Sequence, residues 1–455
     1  MKKFEFSFSD QSNTEFLMVS QWINSGEKNI AIYGEAGTGK SSFIREMTSY
    51  CEKMKFKILC LAFTGRAAGG IDGRTLHSYF GLTIRPYLPT ESIFDRSTYG
   101  QLAARGTKLI GTVIKDDGRE VQYIIPTLND SFRIIELELK QLDILVIDEI
   151  SMVRCDIIDT VDIILRKVRE CDEPFGGVVF LMVGDKRQLP PVVSDSDRPI
   201  LENYYESPFG YLESDAVKSC KLNEVVLEKV YRQQDPGFIS LLRGIRLNGL
   251  MPVDIETLNK RFNRNVNYEN ITMGQQIICS TNNKVNYYNH KMLDLIMSDE
   301  YCYEADVSSG YPMNKYPTND SLKLKLGAKV MLLRNDKGRR YFNGSFGQVR
   351  ALHEDAVVVE IDGVEVEVRR EQWTYTRYRH DAHNREIVPE GATEYFRQMP
   401  LRLAWAMTTH KAQGQTFDKI LCDLSDEFMP EQTYVALSRC RTLDGVTMLA
   451  ALEAK

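Results

Sequence analysis

The sequence predicts an α/β protein with two units of parallel sheet and flanking helices. A β-hairpin is inserted in the first unit and a small β-barrel in the second. Three observations carry this. The apolar run Asn29–Tyr33 leads through a glycine-rich octapeptide into a helical stretch from Ser42 to Tyr50. Further apolar runs at 57–63, 144–148 and 178–184 alternate with helical or loop segments, as buried parallel strands do. From Gly327 to about Thr376 the pattern changes to short β segments.

The octapeptide comes first along the chain. Gly34-Glu35-Ala36-Gly37-Thr38-Gly39-Lys40-Ser41 fits the phosphate-loop pattern in its required strand–turn–helix setting. Its glycines let backbone N–H groups curl around a polyphosphate, and the following helix directs its positive end at the same anion. Lys40 suits the β- and γ-phosphates, and the Ser41 hydroxyl suits Mg²⁺. Binding of a nucleoside triphosphate follows, with Gly34, Ala36, Gly37, Thr38, Gly39, Lys40, Ser41 and Ser42 as the cradle.

Between Gly81 and Leu142 the strand–helix alternation breaks. Lys108–Ile114 and Arg119–Ile125 are alternating runs joined by Lys115-Asp116-Asp117-Gly118, a hairpin signal. Ile144–Asp148 is an apolar run ending in Asp148-Glu149, two acids at a strand's carboxyl edge and opposite the phosphate loop. Asp148 suits Mg²⁺, and Glu149 suits polarisation of an attacking water. Val183–Pro191 again ends a strand in polar groups, where Gln188 is placed to sense a γ-phosphate. A second α/β unit is expected to begin near Asn223 and to include a strand at 276–280. The barrel strands are expected at 328–333, 347–352, 356–361 and 364–369, with Asp362-Gly363 as a turn, and the α/β unit resumes near Leu401.

The 455 residues suggest about three domains, and 43% hydrophobic with 26% charged content is ordinary for a globular chain. No apolar run approaches membrane-spanning length and the first residues do not form a signal peptide, so a cytoplasmic protein is expected. Nine scattered cysteines without a C-x-x-C argue against a disulfide framework or a zinc site. A net charge of −6 requires any nucleic-acid site to be a local groove.

Asp148-Glu149-Ile150-Ser151-Met152, Arg166–Glu170, Pro174-Phe175-Gly176-Gly177 and Gly184–Pro191, in that order, resemble the signature of the Pif-type DNA helicases. These belong to the 5′→3′ branch of helicase superfamily 1, alongside the RecD-like enzymes and the phage Dda helicase. The likeness runs from about residue 29 to 445. It takes in Thr64–Ala68, Thr75–Ser78, Gly327–Asp336 with Asn343-Gly344-Ser345, Ala406–Thr416 and Tyr434–Arg439.

The resemblance implies two RecA-like motor domains, at 1–82 with 136–210 and at 211–325 with 398–455. A hairpin insertion at 83–135 would stand on the first, either a wedge that splits the duplex with support from the barrel near Trp373 and Tyr375 or a decorative addition. A Src-homology-3-like barrel at 326–397 would stand on the second. The resemblance also implies an ATP- and Mg²⁺-dependent DNA helicase acting as a monomer on single strands and single–double-strand junctions. Lys40, Asp148, Glu149, Gln188, Arg232 and Arg439 would be catalytic, and Gln413 and Gly414 would meet the nucleotide. Asn13 takes the place of the family's adenine-reading Gln. DNA contacts are implied at Thr64, Gly65, His77, Thr281, Asn283, Asn343, Thr408, His410 and Lys411. Two other readings share these motifs: an RNA-directed helicase of the same superfamily, and an ATP-switched nucleic-acid clamp that never steps.

Overall fold

The computed structural model describes residues 14–82, 85–88, 108–114, 120–125, 130–207, 209–336, 338, 340–381, 386–427 and 431–453. Two parallel sheets organise them. The first runs Arg74–Thr75, Ile58–Ala62, Ile144–Asp148, Val179–Gly184, Asn29–Gly34, Asn223–Leu227. Its central strands are apolar throughout because both faces are covered. Ile30, Ile32, Val146, Leu181 and Val183 pack into one core, while Ala31, Leu145, Ile147, Phe180 and Met182 pack into another. Alternate side chains of one strand point to opposite faces, so a sheet buried on both sides needs apolar residues at every position.

The second parallel sheet runs Ala406–Thr408, Gln275–Cys279, Lys419–Asp423, Val446–Met448. One face, with Ile278, Met407, Ile420 and Cys422, packs on the helices Pro236–Asn248 and Glu431–Leu437. The other face shares a core with the helix Asn282–Asp294 and an antiparallel five-stranded sheet. That sheet runs Val364–Arg369, Ala356–Ile361, Phe346–Leu352, Lys329–Leu332, Leu401–Leu403. A long hairpin, Glu371–Asp381 with Glu386–Gln398, extends from the antiparallel body. Lys329 fastens the body to the second parallel sheet. Its buried ammonium donates to Met273 O, Gln275 O and Gln276 Oε1 at 2.9, 2.9 and 3.1 Å. Burial without a carboxylate pulls this lysine down to about 8.

The structure moves two boundaries. Asn223–Leu227, expected to open the second unit, is the edge strand of the first sheet, paired in parallel with Asn29–Gly34. Alternation of strands and helices announces a strand but not the sheet it joins, and the whole first unit therefore extends beyond residue 210. The antiparallel body is also wider than 326–397. Glu300–Glu304 pairs with Ser321–Lys325, and Leu401–Leu403 pairs with Lys329–Leu332. The strands Lys108–Ile114 and Glu120–Ile125 pair antiparallel, with a register shift between Leu109 and Gly111. Their turn lies outside the described residues, as does Asn13. Trp373 packs edge-on against Phe396 and under the Arg334 guanidinium, while Tyr375 packs on Tyr311. Among the described residues no helix is long and apolar enough to cross a membrane.

Candidate nucleotide cleft and nucleic-acid groove

The phosphate loop leaves the first sheet at Gly34 and enters the helix Lys40–Met54 through Gly39, whose φ of 85° is left-handed. Gly37, at φ 88°, has no room for a side chain: a Cβ there would stand 2.6 Å from Arg232 Cβ. Lys40 Nζ donates to Gly34 O at 2.7 Å and Glu35 O at 2.9 Å, and Thr38 Oγ1 donates to Glu35 O at 2.9 Å. Burial holds Lys40 below the ordinary lysine range, against the opposing pull of Asp185, Glu149 and Asp148. Ser42 stands in the first turn of the helix, its Oγ accepting from Arg45 Nη2 at 3.3 Å.

Across the loop, the strand Ile144–Asp148 delivers its acids. Ser41 Oγ donates to Asp148 Oδ2 at 3.4 Å. Burial, then the charge of Glu149, drives the Asp148 carboxyl up from its ordinary range. Glu149 adopts a left-handed φ of 53°, a costly backbone for a non-glycine residue, which turns it out of the strand direction.

The second sheet supplies the facing wall. Gln413 Nε2 donates to Gln188 Oε1 at 2.8 Å and to Glu149 Oε2 at 3.4 Å. Gln413 Oε1 is buried with no donor. Gly414, at φ 76°, places its α-carbon so that a Cβ would lie 3.7 Å from Glu149 Oε1. Arg232 lies in the loop after the strand Asn223–Leu227 and donates to Ser438 O at 3.1 Å. Burial, with Arg439 next, lowers its guanidinium to about 10. Arg439 is 1% exposed and spends its donors within its own unit, on Val435 O at 2.9 Å and Ser438 Oγ at 2.8 Å. The six predicted catalytic residues therefore face one cleft, with Arg232 against the phosphate loop at Gly37 and Arg439 within electrostatic reach of Glu149.

Two residues here were not singled out from the sequence. Tyr434 accepts from Ala36 N at 3.0 Å and donates to Asp185 Oδ2 at 3.1 Å, bridging the phosphate loop and the second unit. Arg246 grips the same Asp185, with Nη2 at 2.7 Å from Oδ1. Tyr434 lies inside the stretch that carries the family resemblance, so a buried phenol beside Arg439 was its available signal. Arg246 had none.

The predicted nucleic-acid contacts stand at strand ends. Thr64 and Thr281 follow a parallel strand at its carboxyl end and Thr408 ends one, where open α/β sheets bind ligands. Thr64 caps the helix Gly65–Gly70 by accepting from Ala67 N, and Thr408 caps Thr409–Ala412 by accepting from Lys411 N. Thr281 makes no such cap. Asn283 is exposed one residue into the following helix. His77 packs edge-on to Phe63 at 5.5 Å, and burial together with Arg154 draws it down to about 4. His410 is likewise drawn down by burial. Both imidazoles are neutral near pH 7 and suited to stacking rather than to pairing with phosphate. Lys411 lines a small cavity with Arg402, Asn282 and Thr408. The cavity walls and the Arg402 guanidinium pull its ammonium down to about 7. Asn343 belongs to the antiparallel body and meets Gly65 of the first unit, where a Cβ would stand 3.2 Å from Asn343 O.

Known proteins match this arrangement. The family model described as an AAA domain covers residues 20–194. The ATP-dependent DNA helicase PIF1 of Xenopus laevis is 30% identical over 96% of this chain and 61% of its own length. The chain thus spans about three fifths of the length of the vertebrate and yeast relatives it matches. The Pif1 helicase of Bacteroides, solved with ADP-AlF3 and ssDNA, superposes with a TM-score of 0.77 at 33% identity, over 99% of this chain and 94% of that one. The unliganded Bacteroides protein gives a TM-score of 0.58 at 34% identity, over 99% and 93%. With one third of its residues shared across nearly the whole of a Bacteroides Pif1, the chain belongs to the Pif1 family of helicases.

Proposed function

We propose that this chain is an ATP-driven DNA helicase that moves 5′→3′ along single strands and unwinds the duplex ahead. The observation that carries this is the cleft itself. The loop, both acids and Gln188 come from one unit, Gln413 and Arg439 come from the other, and Arg232 lies where they meet. Hydrolysis at such a seam changes how two bodies contact, which is what a stepping motor requires. Direction comes from family membership.

Lys40 leaves its two loop carbonyls to meet the β- and γ-phosphates of ATP. Glu149 orients the attacking water, with the unpartnered Gln413 Oε1 as a second acceptor for its protons. Arg232 neutralises charge on the transferred phosphoryl group, and Arg439 adds positive potential behind it. A Mg²⁺ ion suits this site: Ser41 Oγ and Asp148 Oδ2 adjoin at 3.4 Å, and burial with the Glu149 charge holds the Asp148 carboxyl up from its ordinary range even with Lys40 nearby. When bound there, it supplies charge neutralisation at the bridging phosphates.

The strand lies along the ends marked by Thr64, Thr281 and Thr408, with neutral His77 and His410 stacking and Lys411 meeting phosphate. We take the protein to act as a monomer in the cytoplasm. The hairpin at 108–125 is assigned as the wedge, and the antiparallel body as an inserted domain on the second motor.

Duplexes with a 5′ or a 3′ tail, in DNA and in RNA, test the proposal. ATP-dependent unwinding is expected only from the 5′ tail on DNA. Unwinding from the 3′ tail would overturn the direction, and preference for RNA would favour the RNA-directed reading. Strand-stimulated hydrolysis without any unwinding would leave a switched clamp.

A further inference from the structure

The antiparallel body, although built on the second unit, reaches back to the first. Arg66 Nη1 donates to Gly344 O at 3.2 Å, and its guanidinium lies 5.3 Å from the centroid of Phe346. Beside it, Gly65 lies against Asn343 because it carries no side chain. The loop that makes this approach is internally braced. Asn343 N donates to Asn335 Oδ1 at 2.8 Å, Gly344 N to Leu332 O at 2.8 Å, and Phe342 N to Ser345 Oγ at 3.0 Å. Arg340 pairs with Asp336 at 2.8 Å across the same loop. Gly344, at φ 93°, turns its carbonyl toward Arg66.

These contacts complete a circuit of protein. The first unit meets the second across the nucleotide cleft, through Gln188 with Gln413 and Asp185 with Tyr434. The second unit carries the antiparallel body through a shared core and the Lys329 seam. The body then closes on the first unit at Gly65 and Arg66. The strand ends at Thr64, Thr281 and Thr408 belong to the bodies that form this circuit.

We infer that Gly65-Arg66 and Asn343-Gly344 form a clasp that encircles the bound single strand. This rests on the proposed DNA-binding function and adds a substrate distinction to it. A strand with a free end threads through the closed ring, whereas a covalently closed strand enters only when the clasp parts. The clasp is made of one backbone-directed hydrogen bond, one cation–π contact and a glycine–backbone contact, so it opens without unfolding either unit. The DNA- and nucleotide-bound Bacteroides relative is the more similar in overall arrangement, at TM-score 0.77 against 0.58 for the unliganded form.

The test uses a cysteine pair. A Cβ at Gly65 would stand 3.6 Å from Asn343 Cβ, within the span of about 3.5–4.5 Å that a disulfide requires. The variant Gly65→Cys/Asn343→Cys is bound while reduced to circular and to linear single-stranded DNA of one sequence. It is then oxidised and washed in about 1 M salt, which screens phosphate contacts. The oxidised protein is expected to stay on the circle, to leave the linear strand through its ends, and to leave the circle once reductant is added. Oxidised before DNA is added, it should fail to load on the circle yet still thread the linear strand. Release from the circle as fast as the reduced form would overturn the clasp, and so would failure of the two thiols to couple. The single variants Gly65→Cys and Asn343→Cys separate the designed bond from coupling to the native cysteines. A second pair, Arg66→Cys with Gly344→Cys, has its Cβ positions 3.7 Å apart and repeats the test on the neighbouring contact. If the parent protein, without either introduced cysteine, binds neither DNA, the proposed function fails rather than the clasp.

Discussion

Tyr434→Phe removes one oxygen atom from the seam between the two α/β units and leaves the ring packing in place. That hydroxyl accepts from Ala36 N at 3.0 Å and donates to Asp185 Oδ2 at 3.1 Å. Burial, then the Asp185 charge, keeps the phenol protonated and therefore a donor. In the variant Asp185 retains Arg246 and the Arg187 amide, but Ala36 N–H loses its acceptor inside a buried region. A hydrogen bond to a charged group is worth about 1.5–3 kcal/mol, and an orphaned buried donor costs about 1–3 kcal/mol. The two overlap, giving a loss of about 2–4 kcal/mol. Because the bonds join residues of different units, the loss falls on closure of the cleft rather than on either core. At about 1.4 kcal/mol per decade, kcat/KM for ATP with single-stranded DNA present is expected to fall at least about 30-fold. Steady-state hydrolysis beside a melting curve measures this. A kcat/KM within threefold of the parent at unchanged Tm would refute the assignment of Tyr434 to closure.

Three further outcomes follow from the site. Lys40→Ala is expected to abolish hydrolysis while single-strand binding, measured by fluorescence anisotropy, is retained; near-parent hydrolysis would remove the loop from the mechanism. Asp148→Asn, or chelation of divalent cations, is expected to stop hydrolysis, and magnesium should restore it only in the parent. Lys411 is drawn down to about 7, so its charged fraction, and with it single-strand affinity, should decline as pH rises from 6 to 8. Lys411→Met should flatten that decline, whereas His77, drawn down to about 4, contributes nothing to it.

What was legible in the sequence is what local chemistry decides. The strands Ala356–Ile361 and Val364–Arg369 and their turn fall where alternation and Asp362-Gly363 place them, with φ 49° and 82° at the turn. The phosphate loop and its acids were equally local. Pairing partners far along the chain were not. Asn223–Leu227 joins a sheet whose neighbouring strand begins at Asn29, and nothing within the strand encodes that choice. Arg246 becomes part of the cleft only because the helix Pro236–Asn248 brings it to Asp185, 61 residues away. Thr64 and Thr408 show the reverse case. The residue types that grip phosphates also cap helices, and both hydroxyls cap here.

In the proposed motor, coupling between nucleotide and strand needs little structure. The helix Thr409–Ala412 spans four residues and carries His410 and Lys411. The next residue, Gln413, bonds to Gln188 and Glu149 in the nucleotide cleft. At about 1.5 Å of rise per residue, less than one turn separates the ammonium proposed to meet the strand from the glutamine in the nucleotide cleft. The helix is rigidly seated: Ala412 is fully buried, Thr409 Oγ1 donates to Cys279 O at 3.3 Å, and Gln415 Nε2 donates to Lys411 O at 2.8 Å. A shift of Gln413 as the cleft opens therefore displaces Lys411 by a similar distance, because no flexible segment lies between them to absorb it. On the opposite wall Arg66 follows the Thr64 cap by two residues and ends in the clasp. Movement of the two units would thus reach the strand from both sides through elements no longer than a few residues, and the ring around it need open only when a strand without ends is to be admitted.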